Sequence, residues 1–319
     1  MRPPISLATA LLLAVVSTAS AESITVKSAP VPLSLADPAR IAVGALRYRG
    51  GLALTSEHKR FGGLSGLRVS ADGSRLEAVS DEGHWFTARL LYDDRGYLVG
   101  VADAELGALL DPGGKPLRDK TEQDAESLTW LPDGSRLVGF EHHHRILRYR
   151  KSLADVPQVF PPPPDLDKAP LNEGIESLAT LQDGSVLALT EDMIEQGLLR
   201  AWLWRDGRWS TLHYRPNGAP RPSDATTLPG GDLLVLERSY SPIEGLILRL
   251  TRVALRCIKP DGTLQPKEIA ELRAPLSLDN FEGVSARRNQ KGETIVYLVS
   301  DDNFSPVQRT LLLMFSLED

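Results

Sequence analysis

ESLTWLPDGSRLVGFEHH, residues 126–143, carries most of the information about the fold. An apolar run from Leu128 to Leu131 leads into a turn at Asp133-Gly134. A second apolar run follows from Leu137 to Phe140, and an acid stands at each end, Glu126 and Glu141. Asp-Gly between apolar runs is a hairpin signal, because both central residues can adopt positive φ. Neighbouring positions along each run are apolar, which suits strands covered on both faces, as between stacked blades. The same grammar returns four times: SGLRVSADGSRLEAVSDE (65–82), ESLATLQDGSVLALTED (176–192), DATTLPGGDLLVLER (224–238) and EGVSARRNQKGETIVYLVSDD (282–302).

The repeats start at Ser65, Glu126, Glu176, Asp224 and Glu282. Repeats of about 40 to 50 residues mark propellers, and longer steps leave room for loops. Further strands are expected between the hairpins, at Leu199 to Tyr214 around Asp206-Gly207 and at Leu246 to Ile258. Two orphan strands, within 41–55 and 310–317, remain at the ends. Pairing them gives a sixth, composite blade and closes the ring, which removes exposed strand edges. The expected architecture is all-β, a six-bladed β-propeller, with seven blades as the alternative.

Composition agrees with a globular chain. Of 319 residues, 42% are hydrophobic and 24% charged, which excludes disorder and coiled coil. The 26 Gly and 23 Pro favour turns over long helices. A net charge of −6 with no Lys/Arg block argues against a nucleic-acid partner. The lone Cys257 excludes an internal disulfide and any Cys-based zinc site. Arg2, the apolar run Ile5 to Val16 and the small residues Ala19-Ser20-Ala21 read as a signal peptide over 1–21. That run is shorter than the ~20 residues a membrane span needs. The expected mature chain, 22–319, is a single periplasmic or secreted domain, free of the membrane and monomeric.

Hairpin arithmetic then points to chemistry. Partners in a two-residue hairpin have numbers that sum to that of the two turn residues. This sets Glu126 opposite Glu141, Glu176 opposite Glu191, Asp224 opposite Glu237 and, with Lys291-Gly292 as turn, Glu282 opposite Asp301. The first hairpin differs, pairing Ser65 with Ser80. Like charges facing each other across strands are destabilising. Eight carboxylates at one channel mouth therefore need bound cations, raised pKa values or inserted basic side chains. An all-oxygen site suits Ca²⁺ first, then Mg²⁺ or Mn²⁺. The competing interpretation makes these acids hairpin caps paired with Arg60, Arg221 and Arg238.

The segments FGGLSGL…SDEG (61–83), QDAESLTWLPDG…FE (123–141), NEGIESLA…DG…ALTED (172–192), LPGGDLLVLER (228–238) and DNFEGVS…VSDDNFSP (279–306) resemble the bacterial exported "esterase-like activity of phytase" (phytase-like) domain family. The resemblance covers roughly residues 40–318. It implies a β-propeller with an acidic channel and a phosphoester or carboxylester hydrolase activity, without agreed catalytic residues to carry over.

Within the tract His142-His143-His144, His142 is the candidate base, one residue after its blade's acid as Asp192 is after Glu191. Trp202, Trp204 and Trp209 are expected in blade core. No G-x-S-x-G elbow, H-E-x-x-H or P-loop is present. The expected function is metal-dependent hydrolysis of a small anionic ester, with Arg60, Arg221 and Arg238 holding the substrate's anionic group. The alternative is a non-catalytic propeller that binds a ligand or protein through the same face, because the fold hosts both.

Overall fold

The computed structural model describes residues 21–318. The signal-peptide reading falls almost wholly on residues 1–20, outside the described residues. The chain opens with β1 (Glu22–Ile24), β2 (Lys27–Pro30), β3 (Ala42–Val43) and β4 (Leu46–Thr55). Then come β5 (Leu64–Val69), β6 (Arg75–Ser80), β7 (His84–Tyr92) and β8 (Leu98–Ala108), and the one-turn helix α1 (Lys120–Gln123). The next group is β9 (Ala125–Trp130), β10 (Arg136–Phe140), β11 (Arg145–Tyr149) and β12 (Gln158–Phe160). It is followed by β13 (Ile175–Thr180), β14 (Val186–Glu195), β15 (Leu198–Arg205) and β16 (Arg208–Tyr214). The chain closes with β17 (Arg221–Thr227), β18 (Leu233–Ser241), β19 (Gly245–Val253), β20 (Thr263–Leu264), β21 (Lys267–Arg273), β22 (Asn280–Arg288), β23 (Thr294–Asp301) and β24 (Thr310–Leu317). No helix among the described residues is long and apolar enough to cross a membrane.

These strands form five sheets: β1-β8-β7-β6-β5, β12-β11-β10-β9, β13-β14-β15-β16-β20, β17-β18-β19-β21 and β2-β4-β24-β23-β22. The fold is a β-propeller of five blades, and the expected six, like the alternative seven, is corrected to five. The terminal segments do pair, β4 with β24, Leu54 opposite Thr310 through Leu46 opposite Leu317. They lie inside the fifth blade, however, because β24 also pairs with β23. Two strand-rich ends complete a blade whose inner half is already present; they do not make a sixth.

Five separate cores explain why both faces of each strand are apolar. In β10, Leu137 packs toward the third blade while Val138 packs toward the first. In β23, Tyr297 faces the first blade and Leu298 the fourth. Each sheet is the filling between two neighbours, so period-two alternation of polar and apolar residues is absent. The innermost strands β5, β9, β13, β17 and β22 follow one another around a common centre, and β22 returns to β5.

Candidate functional site at the channel mouth

The loops correct the hairpin arithmetic. Leu131 N–H donates to Ser135 O at 2.8 Å, so the turn is the three-residue Pro132-Asp133-Gly134, ending on Gly134 at φ 82°. Only glycine holds that left-handed geometry without strain. Leu181 with Ser185, Leu228 with Asp232 and Asn289 with Glu293 repeat the pattern. Each of these hairpins is therefore displaced by one from the expected sum, and the carboxylates do not face each other. Glu126 falls between Ala125, opposite Phe140, and Ser127, opposite Gly139. It is the extra residue of a β-bulge, as are Glu176 in β13 and Glu282 in β22. Bulges re-aim side chains, and here they turn the acids into the mouth.

The result is a cavity of about 240 Å³ lined by Asp81, Asp124, Glu126, Glu141, Glu176, Glu191, Glu282 and Asp301. Facing these eight carboxylates are Lys120, Arg238 and His142. Lys120 Nζ lies 2.6 Å from Asp124 Oδ1 and 3.5 Å from Asp81 Oδ2. Arg238 Nη2 lies 3.2 Å from Glu282 Oε1 and 4.0 Å from Glu191 Oε1. Asn280 Nδ2 donates to Glu282 Oε1 at 2.8 Å, Ser65 Oγ donates to Glu282 Oε2 at 3.0 Å, and Asn303 N–H donates to Asp301 Oδ1 at 2.6 Å. Gly174 N–H donates to Glu141 Oε1, and Glu141 and Glu176 hydrogen-bond through their carboxyl groups.

Two basic groups do not neutralise eight acids, and the pKa values respond. Burial pushes Glu141 up to about 7. Burial, reinforced by Glu282, pushes Asp301 up to about 8. Burial raises Asp81 to about 6 even with Lys120 beside it. Burial holds Glu126 and Glu176 well above the usual carboxylate range, reinforced at Glu126 by Glu282 and Glu141 and at Glu176 by Glu141 and Glu126. Glu191 moves the same way, against the pull of Arg238. Such a cluster binds either protons or cations. Asp124, Glu126 and Glu141 each offer an oxygen, all within 4.8 Å of one another.

Six of the eight expected acids thus meet, together with Arg238 and His142. The exceptions have clear causes. Asp224 is not the bulge residue of β17; Ser223 is, between Pro222, opposite Glu237, and Asp224, opposite Leu236. One step farther along the strand, Asp224 is fully buried at the ring centre, where Val284 N–H donates to it at 2.8 Å and Arg68 Nη1 lies 3.2 Å away. Arg68 also donates to the carbonyls of Leu67, Leu178, Ala225 and Val284, thereby tying four blades together. Glu237 is buried between blades and accepts from Tyr214 Oη at 2.5 Å. Neither is a candidate metal ligand. Arg60 pairs with Glu22 at 2.7 Å and lines a separate pocket. Arg221 pairs with Asp192 at 3.4 Å and donates to Gly218 and Ala219 carbonyls. Neither arginine reaches the cavity.

His142 Nε2 sits 2.9 Å from Asp124 Oδ2, while His143 turns out to Glu122 and His144 to the Pro170 carbonyl. Residues absent from the sequence-derived set are Asp81, Lys120, Asp124, Asn172 and Asn303. Asp124 had a signal: it lies two residues before its bulge acid, where Asn280 precedes Glu282. Lys120 had none, being brought in by a short helix in a loop.

Among solved structures, the chain is similar to a protein of unknown function from Dyadobacter fermentans at 11% identity, covering 86% of this chain and 100% of that one, with a TM-score of 0.45. A gluconolactonase from Xanthomonas campestris is similar at 13% identity, over 93% of this chain and 97% of that one, with a TM-score of 0.46. A luciferin-regenerating enzyme is similar at 9% identity, over 91% and 98%, with a TM-score of 0.43. No curated protein matches the sequence. Residues 59–304 match the family described as phytase-like, esterase-like activity of phytase. They include all the mouth carboxylates, and the chain belongs to that phytase-like family.

Proposed function

We propose that this protein is a metal-dependent hydrolase of small anionic esters, phosphoric or carboxylic, acting at the propeller mouth. The observation that carries the reading is the convergence of eight carboxylates on one cavity with only Lys120 and Arg238 to offset them. Asp124, Glu126 and Glu141 would hold the cation, and their all-oxygen donor set suits Ca²⁺ before Mg²⁺ or Mn²⁺. A cation held there would polarise an ester oxygen and lower the pKa of a bound water.

The remaining roles belong to this chain's own side chains. His142, steered by Asp124 at 2.9 Å, accepts a proton at the cavity wall. Arg238 and the half-exposed Lys120 hold the substrate's anionic group. Without a cation the mouth repels that group, so loading should switch substrate binding on. The signal-like segment supports an exported protein, and we take it to act as a monomer.

The test is turnover of p-nitrophenyl phosphate and of the anionic carboxylic ester mono-p-nitrophenyl succinate by metal-stripped and reloaded protein. Activity is expected only after reloading, and His142→Asn should lower kcat by about 10²–10⁴-fold. Absence of turnover under every ion would overturn the hydrolase reading. Cation or ester binding without turnover would then mark a binding propeller.

A further inference from the structure

The face opposite the mouth reverses the charge balance at one place. The hairpin turns lie there, and three of them hold an acid one residue before the loop glycine: Asp72, Asp133 and Asp183. Asp133 is held by Arg148 of its own blade, and Asp183 by Arg205 at 2.7 Å. Asp72 accepts from Ser70 Oγ and from Ser74 N–H. In the fifth blade the same position is Lys291, and Arg287 and Arg288 lead into the turn. The turn geometry is the same: Gly292 N–H donates to Asn289 O at 3.0 Å, as Gly134 N–H does to Leu131 O at 2.9 Å. Only the charge is inverted.

That turn walls a cavity of about 270 Å³ between the fifth and first blades. Arg49, Arg95, Arg287 and Lys291 line it against only Asp72 and Glu293, so two positive charges are left over. It shares no lining residue with the mouth. Both acids are already engaged, Glu293 by Arg49 at 2.9 Å and Asp72 within its own turn. Arg287 gives Nε and Nη2 to Tyr297 Oη at 3.1 and 3.0 Å, which leaves Nη1 to the cavity. Lys291 uses only its backbone N–H, donated to Asn289 Oδ1 at 2.9 Å. Among the described residues no carboxylate pairs with either side chain.

These cations are held in place. A Cβ on Gly73 would fall 2.3 Å from Arg287 Cζ, so only glycine lets this guanidinium lie against the first blade's turn. Tyr297 is fixed in turn by Tyr92, with the two hydroxyls 2.9 Å apart. The guanidinium carbons of Arg49 and Arg95 stand 5.3 and 4.7 Å from the centre of the Tyr97 ring, within cation–π range. Arg95 also pairs with Asp93 at 2.9 Å.

We propose that this cavity is a second ligand site, which binds a phosphoryl dianion, either free or carried on a small organic ester. The surplus of two positive charges matches its charge. Guanidinium forks match phosphate oxygens. Donors arriving from β4, the β7–β8 turn and the β22–β23 turn suit an anion with several oxygens. A planar carboxylate would be satisfied by one arginine.

In chelator the metal-stripped mouth repels anions, so calorimetric titration with inorganic phosphate reads this site alone. Saturable binding is expected, displaced by sulfate and persisting in sodium chloride of matched ionic strength. Lys291→Asp, which restores the acid of the other turns, and Arg287→Met should each weaken binding at least about tenfold. Lys120→Met, at the mouth, should leave it unchanged. Glycerol 3-phosphate separates the two sources: equal or weaker affinity assigns the site to the free anion, tighter binding to the ester-borne group. No saturable binding by the parent, full affinity in both Lys291→Asp and Arg287→Met, or loss in Lys120→Met overturns the second site. Lys291→Asp should leave turnover at the mouth unchanged, so this site and the hydrolase reading stand or fall separately.

Discussion

Asp224 at the ring centre and Glu176 at the mouth are both buried acids on innermost strands, yet their surroundings are opposite. Asp224 meets Arg68 at 3.2 Å and a backbone N–H at 2.8 Å. Glu176 meets Glu141, with Glu126 and Glu191 nearby. Burial raises both pKa values, but Arg68 limits the rise at Asp224 to about 6. The centre is thus a finished structural clasp. The mouth sets eight carboxylates against Lys120 and Arg238 alone. One step past a bulge separates the two outcomes.

The largest expected effect comes from breaking the clasp. Arg68→Met leaves Asp224 buried without its partner and should cost about 3–5 kcal/mol in chemical denaturation. Adding Asp224→Asn should recover part of that loss; if the double variant is no better than the single, Arg68 acts through packing instead. At the mouth, a cation at one hundred times its dissociation constant should stabilise the parent by ~2.7 kcal/mol. Melting curves in chelator and in excess Ca²⁺, Mg²⁺ or Mn²⁺ measure this. The increment should shrink in Glu126→Gln, and a parent indifferent to all three ions would remove the metal from the reading.

Glu237 sharpens the contrast, being buried like Asp224 but partnered by a neutral Tyr214. Its carboxyl is pushed by burial from 4.5 up to about 7. The folded state therefore binds this proton more tightly than the unfolded chain. The resulting stability is fully present below about pH 4.5 and lost as pH rises through about 7. Glu237→Gln should flatten that part of the stability profile, by about 3 kcal/mol. An unchanged profile would mean that Glu237 is ionised in the fold. The smallest effect belongs to Glu126→Gln with Glu176→Gln in chelator. Relief of like-charge repulsion should leave stability unchanged or raise it by up to about 1 kcal/mol, whereas a hairpin-cap role predicts a loss.

Much of this molecule is legible in its sequence. Asp-Gly and Gly-Gly turns between doubly apolar runs identified the hairpins, because glycine at the loop end and two-sided burial leave local marks. The acids Glu126, Glu141, Glu176, Glu191, Glu282 and Asp301 were found from their recurrence. The blade count was not legible: Leu46–Thr55 and Thr310–Leu317 look like orphan strands, and nothing local says that they pair within a blade already begun. Facing pairs were misassigned because a three-residue loop and a one-residue bulge look alike to simple arithmetic.

The sequence by itself determined the strands, their turns, the family motifs and an acidic end to most hairpins, all properties of short stretches. Only the tertiary structure decided which acids share a cavity. Arg68 and Asp224 are 156 residues apart, and Arg60 and Arg221 stand close to acids in sequence yet pair elsewhere. The physical reason is that a bulge or a closing strand changes side-chain direction through ladder register, and register is set by the partner strand and the packing between blades.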